Sequence, residues 1–511
     1  MRRAIAWTHR VHRWSGTALA LLMAAWFASG AVMTFKAYPS YTDEERRAHA
    51  LPLSAEGAAG SLTAAGAAGS LPAADSAESP RAAGTDVLRA ALVPPDLARW
   101  LGEGARARLG VIEGSPRWLL RGAAGYRVLP EVPALDEARA RAEAERTHGR
   151  CSGAVERIDQ PDQWTVGRSP PNSYPLLRIA CEDASGLELY VSTRSGEIIQ
   201  ESTREERVWA WLGPITHWIY PAILRREREL WRDVVLWISA VGCVLTLSGM
   251  AAGVHSAVRG KRSVKRQVYL RWHQRLGLAF GAMAFAWVFS GALSLEPFHW
   301  SSPTAEPAAA WSNISISETL PQQLTAAFDS CADALPELRE LELVSAGRLY
   351  ALCTDAASQT RIVDLEDPRL TLRRRIPDEA LQRLAQTLGA QLTLASAADD
   401  YYYPTHSRPI VLPYARFVLP DSESTVLYFD PSSARLIDQL DDKRRWERWL
   451  YHGLHSWDFH ALYKHRVLWR SIVIAAMLVG FALSVLGLLI VGRRQLRPHQ
   501  RARNVRSTSQ S

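Results

Sequence analysis

The sequence predicts a membrane protein with four transmembrane helices and two exported α+β modules, arranged as an internal two-fold duplication. Three observations support this fold class: four uncharged apolar runs, clusters of basic residues beside them, and two halves that match at fixed spacings. The chain has 511 residues, of which 47% are hydrophobic. Its mean hydropathy of -0.12 is too low for a polytopic bundle with short loops. The apolar fraction is too high for a disordered chain.

Four runs have the length that a membrane span requires. None of them contains Asp, Glu, Lys, Arg or His over about 20 residues, which a hydrocarbon core of roughly 30 Å demands of a helix. The runs cover residues 15–35, 234–254, 276–295 and 471–491. The first could instead be a cleaved signal peptide, since a basic start and an apolar run are common to both. Its length and its recurrence in the second half favour a retained span.

Basic residues predict the orientation, because the positive-inside bias is strongest in short segments beside the spans. Seventeen Lys or Arg residues precede the first span, separate the second from the third, or follow the fourth. Both termini are therefore expected in the cytoplasm, and the net charge of +8 reports topology, with no nucleic-acid partner. The predicted organisation is a cytoplasmic start and first span (1–35), a first exported module (36–208), an interfacial segment and second span (209–254), a basic cytoplasmic loop (255–275), a third span (276–295), a second exported module (296–445), an interfacial segment and fourth span (446–491), and a basic tail (492–511).

The cysteines agree with this topology. Cys151 and Cys181 fall in the first exported segment, Cys331 and Cys353 in the second, and Cys243 lies inside a span. Two pairs, each confined to one exported segment, indicate two disulfides in an oxidising compartment, although four free thiols are the alternative. The chain has no CxxCH motif for covalent haem attachment.

The repeat emerges when the sequence is aligned with itself. A shift of 261 residues carries His12 to His273 and the small residues of span one to those of span three. A shift of 238 residues, without a gap, carries His217 to His455, and Gly249 to Gly487. The repeating unit is span, exported module, interfacial segment, span. Two such units imply a pseudo-two-fold axis along the membrane normal.

Each exported module is predicted to contain a helix followed by strands. In the first, composition predicts a helix at 134–146, and alternation predicts strands at 176–181, 187–191 and 198–199. In the second, the corresponding elements are a helix at 378–388 and strands at 414–419, 425–429 and 436–437. Residues 54–85 are mostly Ala, Gly and Ser, and are expected to be a flexible insertion.

Several motifs resemble a known family. The strand endings LELYVSTRSGEII and VLYFDPSSARLI resemble the PepSY module, although Ala434 stands where Gly196 stands in the first copy. HRWSG, HQRLG, ITHWIYP and HGLHSWDF, beside the four spans, resemble the PepSY-associated transmembrane family. The resemblance covers nearly the whole chain except the insertion and the tail. It implies a bacterial inner-membrane protein with periplasmic modules, similar to ferric-siderophore reductases that carry two b-type haems.

The repeat selects four of the fourteen histidines. His12 and His273 each precede a span on the cytoplasmic side, and His217 and His455 precede spans on the outer side. A b-type haem needs two facing imidazoles, ideally from different helices of a bundle, and a two-fold axis supplies such pairs. We therefore predict two haem b groups, one held by each pair. Gly16 and Gly277, one turn after the inner histidines, are expected to leave room for a flat ring.

Other histidines remain open as ligands. His255 could serve at the inner side, and His299 or His452 at the outer side. A lone histidine at a membrane interface is more often a polar anchor, and recurrence at identical spacing is what favours ligation here.

A cluster of aromatic and cationic residues in the second module is the candidate substrate surface. It comprises Tyr401, Tyr402, Tyr403, His406, Arg408 and Arg416. Rings beside cations suit a flat, oxygen-rich chelate, whose oxygens could accept hydrogen bonds from the guanidinium groups. Ordinary packing among strands is an equally good interpretation of the same residues.

Together these patterns predict an electron-transfer enzyme. Electrons pass from a cytoplasmic donor or quinol to a periplasmic ferric siderophore or other ferric chelate, and reduction releases iron because hard oxygen ligands hold the ferric ion far better. The chain contains no HExxH, GxSxG, GxxxxGK[ST] or GxGxxG motif. The alternative is a haem-free binding or regulatory membrane protein that acts on exported peptides or peptidases.

Overall fold

The computed structural model of the chain describes residues 2–54, 88, 91–94, 96–102, 106–122, 125–131, 133–149, 151–167, 173–258, 268–301, 317–405 and 409–508. Nearly all of the low-complexity insertion predicted at 54–85 lies outside these residues, as does the central part of the basic loop at 259–267. His406 and Arg408 of the candidate substrate surface also lie outside them.

The described helices include four of spanning length and ten shorter ones. In chain order they are α1 (Arg2–Met33), α2 (Asp43–His49), α3 (Leu97–Gly102), α4 (Glu137–His148), α5 (Arg204–Ala210), α6 (Ala222–Arg225), α7 (Arg228–Val258), α8 (Val268–Leu293), α9 (Leu320–Ala334), α10 (Asp378–Leu388), α11 (Asp442–Glu447), α12 (Leu454–Ser456), α13 (His460–Tyr463) and α14 (Arg466–Thr508). Two π-helical turns, Trp211–Ile215 and Arg448–Gly453, and one 3-10 turn, Pro297–His299, complete them.

The helices α1, α7, α8 and α14 are long and apolar enough to cross a membrane, as predicted from the four uncharged runs. Each of the four packs against two of the others, so that they form a closed bundle. The helices approach closely at glycines: a Cβ at Gly480 would stand 2.5 Å from the Phe27 ring, and one at Gly242 would stand 2.9 Å from Val288. Small residues of this kind are typical of helix contacts in membranes.

Fifteen strands in the described residues form three antiparallel sheets. In chain order they are β1 (Arg106–Ile112), β2 (Ser115–Gly122), β3 (Gly125–Leu129), β4 (Val155–Ile158), β5 (Leu176–Ala180), β6 (Glu188–Ser192), β7 (Ile198–Ser202), β8 (Leu338–Ser345), β9 (Leu349–Asp355), β10 (Thr360–Asp364), β11 (Leu372–Arg373), β12 (Gln391–Ala395), β13 (Tyr414–Val418), β14 (Val426–Asp430) and β15 (Arg435–Leu440).

Two of the sheets have four strands each, in the orders β4-β5-β6-β7 and β12-β13-β14-β15. Each follows a helix that packs on it, α4 in the first case and α10 in the second. Asp136 caps the start of α4, and Gly389 ends α10 in the left-handed region at φ 63°. The helix and three strands predicted for each exported segment are therefore present, with ends that differ by a few residues. Ala434 has φ 54° and adopts the same left-handed conformation as Gly196, at φ 75°.

The third sheet joins the two segments that are predicted to be exported. Its order is β11-β10-β9-β8-β1-β2-β3, so strands of the first segment pair with strands of the second. The joining pair is β1 with β8, where Leu109 lies opposite Leu341 and Ala107 opposite Leu343. Fully buried side chains such as Trp118 and Leu324 form the core under this sheet. The sequence patterns predicted nothing of this sheet.

Both cysteine pairs are joined as disulfides. Cys151 bonds to Cys181 in the core of the first four-stranded sheet. Cys331 bonds to Cys353 in the core of the seven-stranded sheet. Cys243 is free and half-buried on α7. The second disulfide thus belongs to the shared sheet, and not to the helix and four strands of the second module.

A buried carboxyl on α4 gives the first module a dependence on pH. Burial raises the pKa of Glu143 to about 7, although the Arg146 guanidinium opposes the shift. Because the folded pKa exceeds that of the unfolded chain, the neutral carboxyl stabilises the fold at low pH, and this stability is lost as the pH rises from about 4.5 to 7. A shift of this size corresponds to roughly 3 kcal/mol.

We expect Glu143→Gln to abolish this loss, because glutamine stays neutral and still accepts the hydrogen bond from the Glu113 amide. Pulse proteolysis in urea at pH 5 and pH 8 measures the free energy of unfolding of the module. The matched control is Glu145→Gln, on the exposed face of the same helix. Equal pH dependence in wild type and Glu143→Gln would contradict the assignment.

Candidate functional site

The first candidate site lies between α1 and α8. The His12 and His273 rings face each other with their centroids 6.2 Å apart. His12 Nδ1 lies 3.1 Å from the carbonyl oxygen of Leu245, and His273 Nδ1 lies 3.1 Å from that of Leu483. The sequence predicted this pair, and the structure brings its two members together.

The second candidate site lies toward the other ends of the same helices. The His217 and His455 rings have centroids 6.0 Å apart. His217 Nδ1 lies 3.1 Å from the carbonyl oxygen of Trp26, and His455 Nδ1 lies 3.2 Å from that of Trp287. Each histidine follows a π-helical turn, and such turns occur often at functional sites.

The two sites are well separated along the bundle. Ser29, whose hydroxyl lies 3.3 Å from His217 Nδ1, follows His12 by 17 residues on α1. At about 1.5 Å of rise per residue, the two pairs lie roughly 25 Å apart along the helix axis. They therefore occupy opposite ends of the spanning part of the bundle.

The geometry of each pair suits a metal ion held between two imidazoles. Two imidazoles that each bind one ion through a bond of about 2 Å leave their ring centres about 6 Å apart. The Nδ1–H groups donate to backbone carbonyls, which fixes the tautomer and leaves Nε2 as the coordinating atom. Metal-bound histidines usually make this second hydrogen bond.

Glycines pack against all four imidazoles. A Cβ at Gly249 would stand 2.7 Å from His12 Cε1, and one at Gly487 would stand 3.5 Å from His273 Cε1. For Gly30 and His217 the distance is 3.2 Å, and for Gly291 and His455 it is 3.3 Å. The sequence predicts room for a flat ring at Gly16 and Gly277, which line the larger cavity, but does not indicate that these four contact the imidazoles. Their recurrence under the same two shifts was the available signal.

Cavities adjoin both pairs. A cavity of about 420 Å³ is lined by His12, His273, Gly16 and Gly277, and one of about 280 Å³ is lined by His217 and His455. Both linings are mostly apolar. Such cavities suit a flat apolar ring that carries a metal ion.

Three residues of α1, Met23, Trp26 and Phe27, and Trp287 of α8 line one or both of these cavities. Trp26 and Trp287 line the smaller cavity, and their indole nitrogens are buried without a hydrogen-bond partner in the described part of the chain. A buried N–H group of this kind costs free energy unless a ligand accepts its hydrogen. Met23 and Phe27 line both cavities, and therefore lie between the two sites.

Burial also determines the protonation of the pair that lies outside the four long helices. It lowers the pKa of His217, and it lowers the pKa of His455 to about 4, with a further contribution from the neighbouring His217. Both imidazoles are therefore neutral at pH 7. A neutral imidazole is the form that binds a metal ion.

The three alternative histidines lie elsewhere. His299 is exposed in the 3-10 turn after α8, and His255 lies near the end of α7. The His452 ring packs against Tyr451, three residues before His455. The two facing pairs are formed by His12 with His273 and by His217 with His455, and include none of these three.

Two tyrosines of the candidate substrate surface are buried and do not face solvent. Tyr402 and Tyr403 are 0% and 1% exposed, because Tyr402 packs with Tyr414 and Tyr428 inside the second module. Tyr403 donates a hydrogen bond to the Asp458 carbonyl oxygen at 2.7 Å. Both side chains are therefore buried in packing contacts.

The remaining described members of that surface are partly accessible. Tyr401 is half-buried, and Arg416 keeps 35% of its side chain exposed while its Nε lies 3.8 Å from Asp399 Oδ2. Asp399 also accepts a hydrogen bond from the Tyr428 hydroxyl at 2.9 Å. Only these two of the four described candidates can contact a dissolved ligand without rearrangement.

Comparison with known proteins adds no assignment. No family model matches the chain, and no curated protein matches it. The class that the fold and the sites define is therefore a bundle of four helices of spanning length, with two facing histidine pairs and three antiparallel sheets.

Proposed function

We propose that this chain is a bacterial inner-membrane electron-transfer protein that binds two b-type haems and reduces a periplasmic ferric chelate, such as a ferric siderophore. The observation that carries the proposal is that four histidines form two facing pairs. In each pair the ring centroids are about 6 Å apart, and each ring is held through Nδ1. Haem, when bound, supplies an iron that alternates between the ferric and ferrous states and so carries one electron at a time.

The residues of the chain hold and insulate the cofactor. The four histidines would bind the haem irons through Nε2, and the backbone carbonyls that accept from Nδ1–H orient each ring. These hydrogen bonds would make each imidazole a stronger donor to a bound metal ion. The mostly apolar walls of both cavities would limit the contact of a bound iron with water.

The placement of the two pairs supports transmembrane electron transfer. They lie roughly 25 Å apart along α1, close to the thickness of a hydrocarbon core. The basic residues beside the spans predict that His12 and His273 lie nearer the cytoplasm, where a protein donor or quinol delivers electrons. The other pair lies nearer the sheets, where the ferric chelate gains one electron and its iron becomes ferrous.

The internal correspondence of contacts supports a duplicated architecture with two PepSY-like modules. The Ser29–His217 contact of 3.3 Å corresponds to the Ser290–His455 contact of 3.2 Å. Leu245, which accepts from His12, corresponds to Leu483, which accepts from His273. The helix and four strands of each module also have the same order.

Absorption spectroscopy of the purified protein tests the proposal. We expect a Soret band that shifts on reduction with dithionite, sharp α and β bands, and about two haems per chain in a pyridine haemochrome assay. Folded protein without colour, purified from cells supplied with a haem precursor, would reject the reductase and favour the haem-free regulatory alternative.

A second measurement tests the orientation. Because the basic segments are predicted to face the cytoplasm, a fluorescent protein fused after Ser511 is expected to fold and fluoresce, whereas alkaline phosphatase fused there is expected to be inactive. The reverse result would place the termini on the other side of the membrane.

A further inference from the structure

We propose that His49, His148 and Glu201 form a binding site for a divalent first-row transition-metal cation. The site is separate from the four histidines of the bundle. His49 ends α2, His148 ends α4, and Glu201 lies on β7. Three elements that are distant in sequence therefore converge on one point of the first module.

The three side chains have the spacing of a metal site that is nearly closed. The two imidazole centroids are 4.0 Å apart, and His148 Nε2 lies 3.1 Å from Glu201 Oε2. One potential ligand atom from each residue lies within 4.8 Å of the other two. Ligands that share one ion at about 2 Å stand about 3 to 4 Å from each other. A small movement of the side chains therefore completes the site.

An incompletely satisfied imidazole points to a ligand. His49 Nδ1 is buried and makes no well-formed hydrogen bond among the described residues, although the Glu45 backbone lies nearby. The His148 side chain is 4% exposed, and His49 and Glu201 are half-buried, so the cluster lies at the edge of the module core. Two imidazoles and one carboxylate at one position offer several lone pairs that a single bound cation would satisfy.

A neighbouring threonine orients one of the ligands. His148 Nδ1 lies 2.8 Å from Thr147 Oγ1, and that hydroxyl donates to the Glu143 carbonyl oxygen at 2.9 Å. When His148 Nδ1–H donates to the threonine, Nε2 presents its lone pair toward Glu201. This hydrogen bond is the kind of outer contact that fixes the tautomer of a metal ligand.

The donor set selects the class of metal. Two imidazole nitrogens disfavour Ca²⁺ and Mg²⁺, which prefer oxygen ligands. Two histidines with one carboxylate, and with coordination positions left open, suit Zn²⁺ or Fe²⁺. A bound ion would also link α2 to the first four-stranded sheet through Glu201. The helix α2 already contacts the seven-stranded sheet through the ion pair of Arg46 with Glu340.

Zinc provides the test. We expect the full-length protein, purified in detergent and freed of metal with a chelator, to bind zinc in equilibrium dialysis followed by elemental analysis. His49→Ala, His148→Ala and Glu201→Gln are each expected to lose one tightly bound equivalent, with affinity reduced by about 100-fold or more. His299→Ala, which removes an exposed histidine outside the cluster, is expected to bind zinc like the wild type.

A thermal measurement guards against misfolded variants. Zinc is expected to raise the unfolding temperature of the wild type and of His299→Ala, because a ligand of the folded state stabilises it. It should leave that of Glu201→Gln unchanged, while the metal-free unfolding temperatures of all three remain similar. If the three cluster variants bind as much zinc as the wild type, the cluster is only a hydrogen-bonded stack and the proposal is wrong.

The assay does not depend on haem, because zinc is the measured element. Failure of the haem proposal and failure of this one are therefore separate outcomes.

Discussion

The His455→Ala variant is expected to purify with one haem per chain where the wild type carries two. His455 supplies one of two facing imidazoles, and its ring is 6.0 Å from that of His217. An alanine would leave His217 without a facing imidazole, and the residues that line the cavity include no further histidine. The Soret absorbance should therefore fall to about half, with the remaining haem still reducible by dithionite.

The neighbouring histidine is the matched control. His452→Ala lies three residues earlier in the same segment, and we expect it to keep both haems. Free imidazole in the buffer should restore the lost absorbance of His455→Ala, because it fills the space of the missing ring. Loss of haem in His452→Ala, together with its retention in His455→Ala, would show that the ligand has been wrongly assigned.

The inner pair is tested separately. A variant with both His12→Ala and His273→Ala is expected to lose the second haem and to keep the one held by His217 and His455. Retention of both haems in this variant would contradict the inner pairing. Because the pairs lie roughly 25 Å apart along α1, the two losses are expected to be independent.

Glu340→Ala is expected to have the largest effect on the stability of the sheets. Glu340 lies on β8, directly before the residues that pair with β1, and it is 5% exposed. Its carboxylate pairs with Arg46, with Arg108 at 3.0 Å, and with Arg47 at 3.6 Å. Removal of one partner from a buried ion pair typically costs 3 to 5 kcal/mol, because the remaining charges stay buried without compensation.

Pulse proteolysis in urea measures this loss as a change in the free energy of unfolding. The matched control is Glu337→Ala, three residues earlier, whose carboxylate is 65% exposed in its pair with Arg339. An exposed pair contributes at most about 1 kcal/mol, so this variant should resemble the wild type. Equal effects of the two substitutions would show that the buried cluster does not join the segments.

The sequence by itself determined the four spanning helices, because a run of about 20 uncharged apolar residues has no other stable position in a membrane. It also predicted α10 at its observed bounds, Asp378–Leu388, because apolar spacing, acidic residues at the start and Gly389 at the end act locally. The four histidines could be selected because each recurs at a fixed shift. The glycines beside them recur too, but the sequence could not show which of the many glycines contacts a ring.

Only the tertiary structure decided which distant residues meet. The seven-stranded sheet pairs β1 with β8, and strand pairing across more than 200 residues leaves no local periodicity in either strand. For the same reason the sequence leaves the exposure of Tyr402 and Tyr403 open: their burial depends on Tyr414, Tyr428 and Asp458, which contact them from other elements. The cluster of His49, His148 and Glu201 also depends on long-range packing, because its members lie on three separate elements. Local chemistry fixes helices and spans, whereas long-range packing fixes sites.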